Sequence, residues 1–159
     1  MSAGYKSKAG DIMIMSDIEF AEFKKALKKT EEQLSKLEGV EVLGFDELNS
    51  FDARVLEASG FYDDEKEPDI IISYDNEETL VSKLIDVLKL DAGQVWYLWL
   101  ENHIAGIKIL DVKYAMRSML KTDINLSVII STEDKKTLYG LSIDPWNDDK
   151  YLIDVYDIR

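Results

Sequence analysis

His103 is the one histidine of this 159-residue chain, and cysteine is absent. The first question is therefore what chemistry the remaining side chains can do. A lone imidazole needs an orienting partner and a pocket to work as a general base. His103 instead falls in the polar stretch Glu101-Asn102-His103, which reads as a hairpin turn and places it at the surface. A Ser-His-Asp relay would have to use this histidine, yet no serine stands in a nucleophile-elbow sequence. Without thiolates there are no disulfides, no Cys nucleophile and no Cys-based zinc or iron site. The absence of cysteine fits a reducing compartment. The glycines at 4, 10, 39, 44, 60, 93, 106 and 140 form neither a dinucleotide fingerprint nor a P-loop.

Carboxylates are what the sequence has in excess: 32 Asp and Glu against 19 Lys and Arg, a net charge of -13. Residues 38–78 hold fourteen acids against Arg54 and Lys66, so one stretch carries nearly all the imbalance. Its densest part is 63-DDEKEPD-69, and a second cluster, 144-DPWNDD-149, surrounds a tryptophan. Oxygen ligands for a hard cation are present, but 144–149 lacks the ligand order and central glycine of an EF-hand loop. No metal site and no cofactor are expected. An acidic chain repels phosphates, and no basic residues interleave with aromatics, so nucleic acid is not an expected partner. A dense acidic loop serves either solubility or a basic protein partner. Trp146 either folds back onto the core or stands exposed as an interface anchor.

The elements that must position these residues follow from periodicity and end signals. Ser16 and Glu19 have capping-box spacing. Phe20, Phe23, Leu27, Leu34 and Leu37 then recur at helical intervals, predicting a helix over 17–37 that stops at Gly39. Val40–Phe45 reads as a short strand. Leu48, Phe51, Val55 and Ala58 suggest a second helix ending near Gly60. Ile70–Ile72 reads as a buried strand. Asn76 caps a helix whose apolar face is Leu80, Val81, Leu84, Ile85 and Leu88. Val95–Leu100 and Ile104–Leu110 form a hairpin of strands. Asp111 caps a further helix through Leu120. Strands follow over 126–130, 138–143 and 151–158. The expected fold is one α+β domain over 17–159. Its sheet is mixed or antiparallel, with five to seven strands and about four helices, the long helix at the N-terminus. Residues 1–16 read as a flexible tail. No apolar run is long enough for a signal peptide or a membrane span.

With the carboxylate clusters 63-DDEKEPD-69 and 144-DPWNDD-149 and no catalytic set, the chain resembles the small bacterial immunity proteins. Those proteins neutralise polymorphic toxins, including those of contact-dependent growth inhibition. The likeness covers the general character of the whole chain and no diagnostic motif. It implies a non-enzymatic inhibitor in the cytoplasm, holding a basic toxin domain one-to-one, often a nuclease. Asp63, Asp64, Glu65, Glu67, Asp69, Asp144, Asp148 and Asp149 would meet Lys and Arg, and Trp146 would be the apolar anchor. The second reading is a regulatory or housekeeping interaction domain whose acidic loop serves solubility. An enzyme working through Asp and Glu ranks third.

Overall fold

The computed structural model describes residues 3–6, 12–47, 67–122 and 126–157. Strands β1 (Ala3–Lys6) and β2 (Ile12–Met15) pair as an antiparallel hairpin. Helix α1 (Asp17–Ser35) follows at once, started by Ser16, whose Oγ accepts the Glu19 N–H at 3.1 Å. Then come β3 (Val40–Glu47), β4 (Ile70–Ser73), α2 (Glu77–Leu88), β5 (Val95–Trp99), β6 (His103–Ile109), α3 (Val112–Leu120), β7 (Val128–Thr132), β8 (Thr137–Ile143) and β9 (Lys150–Asp157).

The class is α+β, and the main sheet is antiparallel throughout, in the order β3-β6-β5-β7-β8-β9-β4. Two expectations are corrected. The described residues contain three helices rather than four; the helix expected over 48–60 lies outside them. The long helix is not the N-terminal element, because the β1–β2 hairpin precedes it. The hairpin was not legible because Gly4-Tyr5-Lys6 and Ile12–Met15 are too short to show a period.

Alternation along each strand divides the sheet into two faces. Trp96, Leu98, Ala105, Ile107, Ile109, Val128, Ile130, Leu141, Tyr151 and Ile153 pack in one core with α2 and α3. Helix α2 contributes Leu80, Val81, Leu84 and Leu88; α3 contributes Ala115, Met116, Met119 and Leu120. Both helices begin on the side-chain caps expected: Asn76 Oδ1 accepts Thr79 N–H at 2.9 Å, and Asp111 Oδ1 accepts Tyr114 N–H at 3.1 Å. Glu77 at the start of α2 lies within 3.6 Å of Arg117 on α3 and 3.4 Å of Lys121 just after it, tying the two helices together. On the opposite face Leu138 and Tyr156 are buried against Trp99 and Ile129.

Helix α1 is attached differently. Thr30 is its one buried residue, and Phe23 on the apolar stripe is exposed. Its C-terminal half is held by Leu34 on the core, with Leu37 just beyond the helix packed there too, and by Gln33 Nε2 donating to Thr122 O at 3.3 Å. Gly39 does not terminate the helix, which ends through Lys36. Instead Gly39 adopts φ +68 and presses its Cα against the start of α3, where its carbonyl accepts both Leu110 and Asp111 N–H groups.

Candidate functional site

The 144–149 turn joins β8 to β9, and its backbone is tied at several points. Asp144 N–H donates to Lys150 O at 3.0 Å, and Asp144 Oδ1 accepts the Trp146 N–H at 2.8 Å. This side-chain turn across Pro145 sets the direction of the tryptophan. Lys150 N–H closes the turn on Asn147 O at 3.0 Å. The end of β4 grips the other side. Tyr74 donates its N–H to Asp149 O at 3.1 Å and its phenol to Asp148 O at 2.7 Å. Lys150 Nζ donates to Ser73 Oγ at 2.5 Å. Burial, and then the carboxylates of Asp148 and Asp149, push the Tyr74 phenol above its ordinary value.

Trp146 stands at the apex of this pinned turn with 89% of its surface exposed. The fold-back reading of Trp146 is therefore overturned. Its indole has no counterpart on the sheet because the Asp144 bond and Pro145 turn the chain outward. Asp148 and Asp149 on the same turn are exposed, as is Asp75, which follows Tyr74 in the chain. The turn can offer a large, flat apolar group on a segment that also carries Asp144, Asp148 and Asp149.

The other predicted carboxylates are arranged less simply. Asp63, Asp64 and Glu65 lie outside the described residues. Glu67 is exposed. Asp69 is engaged within the sheet, since its Oδ2 accepts the Val155 N–H at 2.7 Å and its own N–H donates to Ile153 O at 3.0 Å. It locks the start of β4 onto β9. Glu67 and Asp69 thus sit at one end of β4 and the tryptophan turn at the other, with Asp69 and Tyr74 roughly 17 Å apart at ~3.3 Å per residue. Sequence reasoning missed Tyr74, which closes the site; only the long-range β4–β9 pairing places it there.

His103 also differs from expectation. It is not in the turn but is the first residue of β6, and it is buried. It points at α1, with Nδ1 2.5 Å from Thr30 Oγ1 and its ring edge-on to Phe45 at 5.0 Å. The surface reading failed because the turn is one residue shorter than Glu101-Asn102-His103. Beside it Lys29 pairs with Glu101. The group is a clasp between helix and sheet. Thr30→Val leaves a buried imidazole nitrogen without its partner, and is expected to lower the unfolding free energy by about 1–3 kcal/mol. Thr30→Ser keeps the hydroxyl and should recover most of that loss in the same urea titration.

Among the described residues no group of three His, Asp or Glu side chains is placed to share a metal ion, and no helix is long and apolar enough to cross a membrane. Comparison with known proteins finds no matching family model, no matching curated protein and no matching solved structure.

Proposed function

We propose that this chain is a non-enzymatic acidic binding protein that neutralises a basic protein partner, in the manner of an immunity protein acting on a toxin domain. A nuclease is the partner its charge fits best, since a site built to hold phosphates is already cationic. The observation that carries this reading is the exposed indole of Trp146 on a hydrogen-bonded turn of carboxylates. An indole left in water on a constrained backbone gives no stability to the free protein, and loses little entropy when a partner covers it. The surrounding charge speeds encounter, while the anchor sets the lifetime of the complex.

Two variants test this against a partner captured from the source cell on the immobilised chain. Trp146→Ala should leave the melting temperature of the free protein unchanged and speed dissociation by about thirtyfold, which corresponds to ~2 kcal/mol. Changing Asp144, Asp148 and Asp149 together to Asn should slow association and flatten its salt dependence, because the Debye length at physiological salt is about 8 Å. Asp144 should be assessed separately as well, since its carboxylate also holds the turn. A captured partner that is acidic, or that binds both variants with unchanged rates, overturns the proposal.

A further inference from the structure

Among the described residues, the strand beside the tryptophan turn has a neighbour on one side only. In the seven-stranded sheet β4 is terminal and, among the described residues, pairs with β9 alone. Its register is Ile70↔Ile153, Ile71↔Leu152, Ile72↔Tyr151 and Ser73↔Lys150. The Tyr74 N–H to Asp149 O bond continues that register by one residue. Bonded and non-bonded pairs alternate in an antiparallel ladder. Tyr74 and Ile72 therefore bond β9, and Ile71 and Ser73 turn their N–H and C=O groups away from it. The outward Ser73 carbonyl accepts Lys83 Nζ at 2.5 Å. An ammonium of the chain itself thus already occupies one acceptor of this edge. A lysine on an edge is also a guard against pairing between copies. The side chain of Ile71 is 59% exposed. Glu67 and Asp69 flank one end of the strand, and Asp75, Asp148 and Asp149 the other. The opposite edge, β3, is broken by a bulge between Val42 and Gly44, which spoils it as a template.

We propose that the outer edge of β4 receives an extended segment of the basic partner as an added antiparallel strand. The proposal rests on the acidic-site reading above and gives that partner a shape. Its main chain would bond Ile71 and Ser73, displacing Lys83 from the Ser73 carbonyl. An apolar side chain would cover Ile71, and Lys or Arg near both ends would meet the two carboxylate groups. Main-chain pairing supplies affinity in this mode, and side chains supply register. Charge complementarity selects a basic occupant over a second copy, which carries the same net charge of -13.

The probe is an acetylated, amidated nonapeptide alternating lysine and valine, compared with a twin N-methylated on its two central, neighbouring nitrogens. One methyl then blocks each edge of the peptide, and the charge is unchanged. Binding is followed by isothermal titration, and amide hydrogen exchange by NMR. The unmethylated peptide should slow exchange at Ile71 and Ser73 at least tenfold, and the twin should bind at least tenfold more weakly. Equal affinity for the two peptides overturns the added strand, as does binding without protection at Ile71 and Ser73, or no binding at all. The same titration on the variant with Asp144, Asp148 and Asp149 changed to Asn separates the two ideas. If that variant binds both peptides equally weakly where wild type binds both equally well, the edge proposal fails while the acidic-turn reading stands. If it keeps the wild-type difference between the peptides at unchanged affinity, the edge stands and the acidic turn is not part of the site.

Discussion

Leu84→Ala is expected to lower the unfolding free energy by about 2–5 kcal/mol. The side chain is fully buried at the centre of the α2 stripe, between Leu80 and Leu88 and against the strand residues of the main core. Removing three carbons there loses their transfer free energy and leaves a cavity that flanking strands cannot collapse into, because their backbones are fixed by ladder bonds on both sides. Domains of this kind have about 5–15 kcal/mol of total stability, so the change takes a large share of it. The urea midpoint should fall with the slope unchanged. A wild-type midpoint would mean that α2 lies outside the cooperative unit.

Gly39→Ala is expected to cost about 3 kcal/mol or more, from two causes that act together. Its φ of +68 is unfavourable for any residue with a Cβ. The added carbon would also stand 2.7 Å from Asp111 O, 2.9 Å from Tyr114 Cβ and 3.0 Å from Ala115 N. Two of those three atoms are main chain, at the capped start of α3, where the Ala115 N–H already bonds Asp111 O. Neither side can retreat without breaking that turn. Gly44→Ala is the control. It has φ +146, but no atom of the described residues comes within 4 Å of the new carbon, so only the backbone strain remains. Thermal melts of the two variants should differ clearly, with Gly39→Ala far lower; equal melting temperatures would show that the close approach is relieved in solution.

These two positions also show what was legible in the sequence. Leu84 was readable as core because α2 carries every local signal at once: an Asn cap, acids in the first turn, and a single apolar face. The strand runs Val95–Leu100 and Ile104–Leu110 were readable because β-branched and aromatic residues cluster between polar stretches. Gly39 reads as a terminator because a glycine that follows a helical pattern usually is one. The contact that requires it comes from Asp111 and Tyr114, more than seventy residues away in the chain. The burial of His103 is illegible for the same reason: its partner Thr30 lies on α1, which no local pattern connects to β6. Of the candidate site, the 144–149 cluster is recognisable from composition alone, but the sequence leaves open whether Trp146 folds back or stands exposed. Tyr74 was not, because its role exists only once β4 has paired with β9.

That pairing has a kinetic consequence. The centre of the sheet is built from hairpins, β5 with β6 and β7 with β8 and β9, whose partners are close in sequence. Its two borders are not. Val40 must find Ile109, and Ile72 must find Tyr151, across loops of about seventy and eighty residues whose closure is entropically costly. The hairpins should therefore collapse first, with β3 and β4 joining late and leaving early. During synthesis β3 and β4 are made before either partner exists, so the acidic eight-residue β3 and the short apolar β4 wait unpaired while the middle of the sheet is assembled. A pulse-labelled refolding experiment should find the amides of Ile130 and Leu141 protected well ahead of those at Ile70 and Ile72.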